Sequence, residues 1–134
     1  MRKKVAVKMN TITNKNGGEI VDSIISYGFL EDKDSLLSIS FSDKKSPILF
    51  EVTKSKVVVS RKVDSLENIY EFKNNETTIL NYKTEFGVFK FKIFTKEINF
   101  EDKMIEIKYD LIYDGQIKDE FVIKLFYKEQ EDEY

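Results

Sequence analysis

The sequence predicts an all-β protein, a single antiparallel up-and-down β-barrel of about 8 to 10 strands, on three observations. Apolar and polar residues alternate with period two along most of the chain. Helix signals are nearly absent: Ala6 is the only alanine, and no capping box precedes a run of apolar residues at helical spacing. The segments between alternating runs are short clusters of Asn, Asp, Ser, Lys and Gly, the composition of hairpin turns.

Taken in order, a first strand over 3–13 stops at "NKNGG", a second over 19–30 at "EDKD", and a third over 35–42 at "DKKSP". A fourth over 48–53 stops at "KS", a fifth over 56–63 at "DS", a sixth over 66–72 at "KNNE" and a seventh over 77–82 at "TEFG". Three longer strands follow, over 88–100, 104–113 and 117–128. No connection is long enough for the crossover that a parallel pair needs, so the strands form a meander. An open sheet of that size would leave two long unpaired edges, and closing into a barrel removes them.

Closure places the beginning of the first strand beside the end of the last. The basic start, Arg2, Lys3 and Lys4, is then expected beside Glu129, Glu131 and Glu133. Exposed pairs of this kind contribute about 0 to 1 kcal/mol each, so they favour the seam without holding it shut.

Composition bounds the chemistry. The 134 residues make one domain, 1–134, large enough to bury a self-sufficient core. With no cysteine and no histidine, a thiolate nucleophile, a disulfide framework, an imidazole base and the usual zinc sites are all excluded. No cofactor or metal is expected, and no catalytic motif stands out, so the chain reads as a non-enzyme. A net charge of -2 is not the footprint of a phosphate-backbone binder. The start "MRKK" lacks the apolar stretch of a signal peptide, and the longest uncharged run, "SIISYGFL", is far short of a membrane span. The expected location is the cytoplasm, with neither membrane nor nucleic acid as partner.

In "DLIYDGQIKDEF" (residues 110–121) the apolar set is odd-numbered on both arms: Ile105, Ile107, Tyr109 and Leu111, then Ile117, Phe121, Ile123 and Leu125. A two-residue turn would put odd positions opposite even ones. The expectation is therefore a three-residue loop, Tyr113-Asp114-Gly115, with Gly115 in a G1 bulge and Tyr109 opposite Asp119.

The stretch "GVFKFKIFTKEINF" (residues 87–100) alternates aromatics with lysines. Successive side chains of a strand face opposite ways, so Phe89, Phe91 and Ile93 belong to the core and Lys90 and Lys92 to solvent. Single-strand binding needs rings and cations in one groove, and these are parted by the sheet. The apolar phase slips from odd to even after Ile93, which calls for a β-bulge near residues 94–96. Without it, Phe94, Ile98 and Phe100 would form an outer patch for a homodimer.

The C-terminal part, "TEFGVFKFKIFTKEINFEDKMIEIKYDLIYDGQIKDEFVIKL", resembles the DUF1934 or YwiB-like family of small bacterial proteins of unknown function. The resemblance rests on Thr84, Phe86-Gly87, Thr95-Lys96, the strand from Ile105 to Leu111 and Asp114-Gly115; Glu85 replaces a proline expected before the aromatic. It implies a calycin-like, that is lipocalin-like, barrel and no assigned activity. The chain has no tryptophan, hence no lipocalin Gly-x-Trp signature.

Candidate site residues are those that share the inward phase. Arg61 follows Val57 and Val59, and Asp119 lies between Ile117 and Phe121. A lumen of Arg61, Phe89, Phe91, Tyr109, Tyr113 and Asp119 would hold a small apolar or amphipathic ligand, with Arg61 on an anionic head group and the two tyrosines orienting it. The competing readings keep Arg61 and Asp119 at a rim or in a structural pair, or fill the lumen with side chains in a protein-interaction module.

Overall fold

The computed structural model describes residues 2–15 and 17–130. Ten strands follow one another: β1 (Arg2–Lys15), β2 (Gly18–Lys33), β3 (Leu36–Asp43), β4 (Ser46–Val52), β5 (Val57–Val63), β6 (Leu66–Phe72), β7 (Thr77–Thr84), β8 (Gly87–Glu101), β9 (Met104–Tyr113) and β10 (Gln116–Glu129). Each pairs antiparallel with its sequence neighbour except β6 and β7, and β1 pairs with β10, giving the order β6-β5-β4-β3-β2-β1-β10-β9-β8-β7. The ends of the chain close against each other as alternation and hairpin-length loops require. What remains unzipped is an internal junction.

At that junction a side chain takes the place of a ladder. Asn68 on β6 receives the Lys83 N–H at 2.7 Å and donates its own amide to the Lys83 carbonyl at 3.2 Å, so one buried amide pairs as a strand residue would. Thr78 on β7 donates to the Glu71 carbonyl of β6. The barrel is thus nearly closed, with β6 and β7 facing one another one side chain apart.

The alternation has its expected effect. One face of each strand carries the core, in which Val5, Ile39, Phe50, Phe72, Ile93 and Ile107 are fully buried. At roughly 1.5–3 kcal/mol per buried large apolar side chain, these rings and branched chains supply the driving force for closure. Gly28 allows β2 and β3 to approach: a Cβ there would stand 1.9 Å from the Ser40 carbonyl oxygen.

Two irregularities set which residues face inward. The β8–β9 register shifts between Thr95 and Glu97, which brings Ile98 opposite Ile107 on the core side. This is the bulge that the phase slip required. Its cause is visible: the turn after β6 docks there, with Asn75 N–H on the Thr95 carbonyl at 2.8 Å and Thr95 N–H on the Glu76 carbonyl at 3.1 Å. Phe100 stays about half exposed at the strand's end, on the same side as Ile105 and not on an outer patch.

The last hairpin corrects the expected register. Tyr113 pairs with Gln116 across a two-residue turn in which Asp114 and Gly115 both have positive φ, and the shift lies further on, between Ile117 and Asp119. Tyr109 therefore stands opposite Phe121, not Asp119. Parity is restored inside β10 because Asp-Gly satisfies a left-handed tight turn better than a wider loop would, and the strand absorbs the extra residue as a bulge.

Of the end charges, Lys3 meets Glu129 at 3.2 Å with both side chains half exposed, while Arg2 stacks on the Phe29 ring at 3.8 Å. Glu131 and Glu133 lie outside the described residues.

Candidate functional site

The barrel is packed at the end carrying the β8–β9 turn and open towards the β5–β6, β7–β8 and β9–β10 turns. Two adjoining cavities lie inside the open half. One, of about 170 Å³, is bounded by Met9, Thr11, Ile48, Arg61 and Ile123, among others. The second, of about 250 Å³, is bounded by Leu80, Tyr82, Phe91, Leu111 and Phe121. Tyr70 and Tyr109 line both and form the partition.

Local register explains this aromatic wall. Inward positions on neighbouring strands come opposite each other, so Tyr109 stacks on Phe121 at 5.0 Å and meets Phe72 at 4.8 Å. Phe91 packs on Tyr82 edge-on at 6.2 Å and on Tyr113 at 5.2 Å. Offset and edge-on contacts such as these add about 0.5–1.5 kcal/mol per pair beyond burial.

The partition is a pair of neutral phenols. Burial pushes the Tyr70 hydroxyl up to about 12, helped by the Tyr82 phenol and opposed by Arg61. Burial raises Tyr109 further, and the charges of Tyr70 and Asp119 act in the same direction. Both therefore stay protonated at neutral pH, able to donate as well as accept.

The six residues singled out from sequence are only partly brought together. Tyr109 and Phe91 line the cavities. Arg61 does face inward, but its guanidinium is held by Asp43 at 3.0 Å, so its charge is already matched. Phe89 shares the inward phase of Phe91 yet is 43% exposed at the rim, less buried than core alternation predicts. Tyr113 sits at the same rim against Phe91. Asp119, on the inward side opposite Leu111, has one carboxylate oxygen buried without a hydrogen-bond partner among the described residues.

Sequence reasoning missed Tyr70, the residue that divides the lumen. Its signal was there in the phase of "LENIYEF", where Asn68, Tyr70 and Phe72 alternate inward, but a polar first member disguised the face. It also missed an outer-face cluster at the β8 bulge. Lys96 lies 3.0 Å from buried Asp110 and 3.2 Å from Glu120. Burial pulls the Lys96 ammonium down, but its attraction to the two carboxylates more than offsets this and leaves it raised. This is a structural ion pair that anchors the bulge. Among the described residues no group of three carboxylates gathers to hold a metal ion, and no helix is long and apolar enough to cross a membrane.

The comparisons agree with this architecture. A family model described as a domain of unknown function, DUF1934, matches residues 5–132. The crystal structure of the ywiB protein from Bacillus subtilis superposes with a TM-score of 0.82 at 19% identity, covering 97% of this chain and 94% of that one. At that identity the likeness concerns the fold. No curated protein matches the sequence.

Proposed function

The chain belongs to the DUF1934 family, and on that premise we propose that it is a non-catalytic binding protein that receives a small, mainly apolar molecule in the open half of its barrel. The observation that carries this reading is the aromatic cup of about 250 Å³ beside a second cavity of about 170 Å³, with two neutral phenols between them. A benzene-sized molecule fits an apolar cavity of about 150 Å³. The larger cup suits a flat molecule of one or two fused rings, edged by Phe91 and Phe121 and offered hydrogen bonds by Tyr70 and Tyr109. Drug-sized ligands need about 300 Å³ or more, and would fit only if the tyrosine partition moved aside.

Carriage rather than catalysis fits the chemistry of the wall. Its one strong cation, Arg61, is neutralised by Asp43, and its phenols are held protonated. The alternative is an interaction module whose interior serves only as core. The solid packing of the other half, from Val5 and Val7 to Ile105 and Leu125, favours that view.

Native mass spectrometry of protein purified from its own host, together with titration of the fluorescent two-ring probe 2-naphthol, separates the two. Binding is expected for the native chain and lost in Leu111→Trp, whose indole fills the cup. No retained mass and equal probe binding by both proteins would refute the binding reading.

A further inference from the structure

The charges at the open half of the barrel do not balance. Arg61, the one cation lining either cavity, is held by Asp43 at 3.0 Å. Asp119 has one carboxylate oxygen buried without a hydrogen-bond partner, and no lysine or arginine among the described residues pairs with it. Asp110 shows the contrast: one of its oxygens is as deeply buried, but the Lys96 ammonium stands 3.0 Å away. Burying a carboxylate without a counter-charge is costly, so an unmatched one in a native fold calls for a partner from outside the chain.

The position of Asp119 says where that partner sits. On β10 it shares a face with Phe121, two residues on, and stands across from Leu111 of β9; both of those line the aromatic cup. Two residues of strand span about 7 Å, so the carboxylate lies one short side arm away from a ring seated on Phe121. Its charge is felt at the Tyr109 hydroxyl, where it adds to the effects of burial and of Tyr70. The rest of the wall favours a ligand of the same sign. Tyr70, Tyr82, Phe91, Tyr109 and Phe121 all border the cup, and the face of an aromatic ring attracts a cation within about 6 Å of its centroid.

We propose, on the binding reading above, that the molecule received in the cup is an organic cation. It is a flat ring system on a short arm that ends in an ammonium group, with the ring between Phe91 and Phe121 and the ammonium on Asp119. An anion would face Asp119 with Arg61 already taken by Asp43. A hard metal ion such as calcium takes about six to eight oxygen ligands, and among the described residues no three acidic groups gather. An organic ammonium asks for one carboxylate and a lining of rings, and the cup holds both.

Three probes that share an indole ring and differ in charge test this at neutral pH: tryptamine, a cation; tryptophol, its neutral hydroxyl counterpart; and indole-3-propionate, an anion. The chain has no tryptophan, so indole emission reports the probe alone. Tryptamine is expected to bind the native chain at least about tenfold more tightly than tryptophol, and indole-3-propionate more weakly than either. In Asp119→Asn the affinity for tryptophol should be kept and the preference for tryptamine lost. The melting temperature of that variant should be unchanged or raised, because an unmatched buried carboxylate has been removed. Equal binding of tryptamine and tryptophol by the native chain, as a water on Asp119 would give, overturns the charge assignment. So does a preference that survives Asp119→Asn, or a variant that melts several degrees lower. In each of these cases tryptophol bound by the native chain still upholds the cup as a binding site, whereas binding of none of the three probes overturns both readings.

Discussion

Removing the Asn68 amide tests whether one side chain does the work of a missing ladder. Asn68→Ala deletes two hydrogen bonds, each with a net value of about 1 kcal/mol. It also leaves the Lys83 N–H and carbonyl facing a narrow seam, but Lys83 lies on an exposed stretch, so water relieves part of that cost. A loss of about 2–3 kcal/mol is expected. With an unfolding entropy of about 2.1 cal/mol/K per residue, 134 residues give roughly 3.5 °C per kcal/mol, hence a drop of about 7–11 °C. Asn68→Asp sharpens the test. The new carboxylate still accepts the Lys83 N–H but sets its second oxygen against the Lys83 carbonyl. Protonation turns that repulsion into a donated bond, so the folded protein binds the proton more tightly than the unfolded chain does. The deficit should be largest at neutral pH and shrink as pH falls through the acid range. Urea unfolding followed by tyrosine fluorescence measures both variants, and amide exchange mass spectrometry should show faster exchange confined at first to β6 and β7. A loss below about 0.5 kcal/mol for Asn68→Ala, or an Asn68→Asp protein as stable as the native chain at pH 7, would refute the seam argument.

Gly28→Ala should be among the most damaging single substitutions, costing about 3 kcal/mol or more in urea midpoint analysis, because its methyl would collide with the Ser40 backbone. Lys96→Met should destabilise the protein by about 2 kcal/mol at pH 7 by leaving buried Asp110 without its cation, as read from the same urea curves. Because the folded ammonium is raised above its unfolded value, the native contribution of Lys96 is complete below about pH 10.5 and declines as pH rises further, so the native and Lys96→Met curves should converge in alkali. Tyrosine titration followed at 295 nm should show Tyr70 and Tyr109 ionising later than the exposed tyrosines. Since the unfolded chain loses its phenolic protons near pH 10 and these two hold theirs to about 12 or beyond, stability falls between those limits, and Tyr70→Phe should lessen the fall.

The strand pattern was legible because side-chain period two is a local property. Burying one face of a twisted sheet needs greasy residues at every second position, and "KVAVKM" or "IEIKYDL" records that need directly. The β8 bulge was legible for the same reason: a phase slip from Ile93 to Ile98 cannot be accommodated without an extra residue. The β10 bulge was misplaced because parity states only that one residue is surplus, not where. Turn chemistry at Asp114-Gly115 moved it past Ile117.

The candidate site divides along the same line. The chain by itself pointed Tyr109 and Phe91 inward, since facing is counted along one strand, and left Arg61 and Asp119 between the lumen and a rim or structural pair; the bulge between Ile117 and Asp119 shows where such counting stops. Tertiary structure alone decided that Asp43 neutralises Arg61, that Tyr70 and Tyr109 partition the lumen, and that Asn68 bridges a junction without a ladder. Those partners come from strands far apart in sequence, and which of them meet depends on the stagger and curvature of the closed sheet. Alternation sets a side chain's direction, whereas closure sets its neighbours.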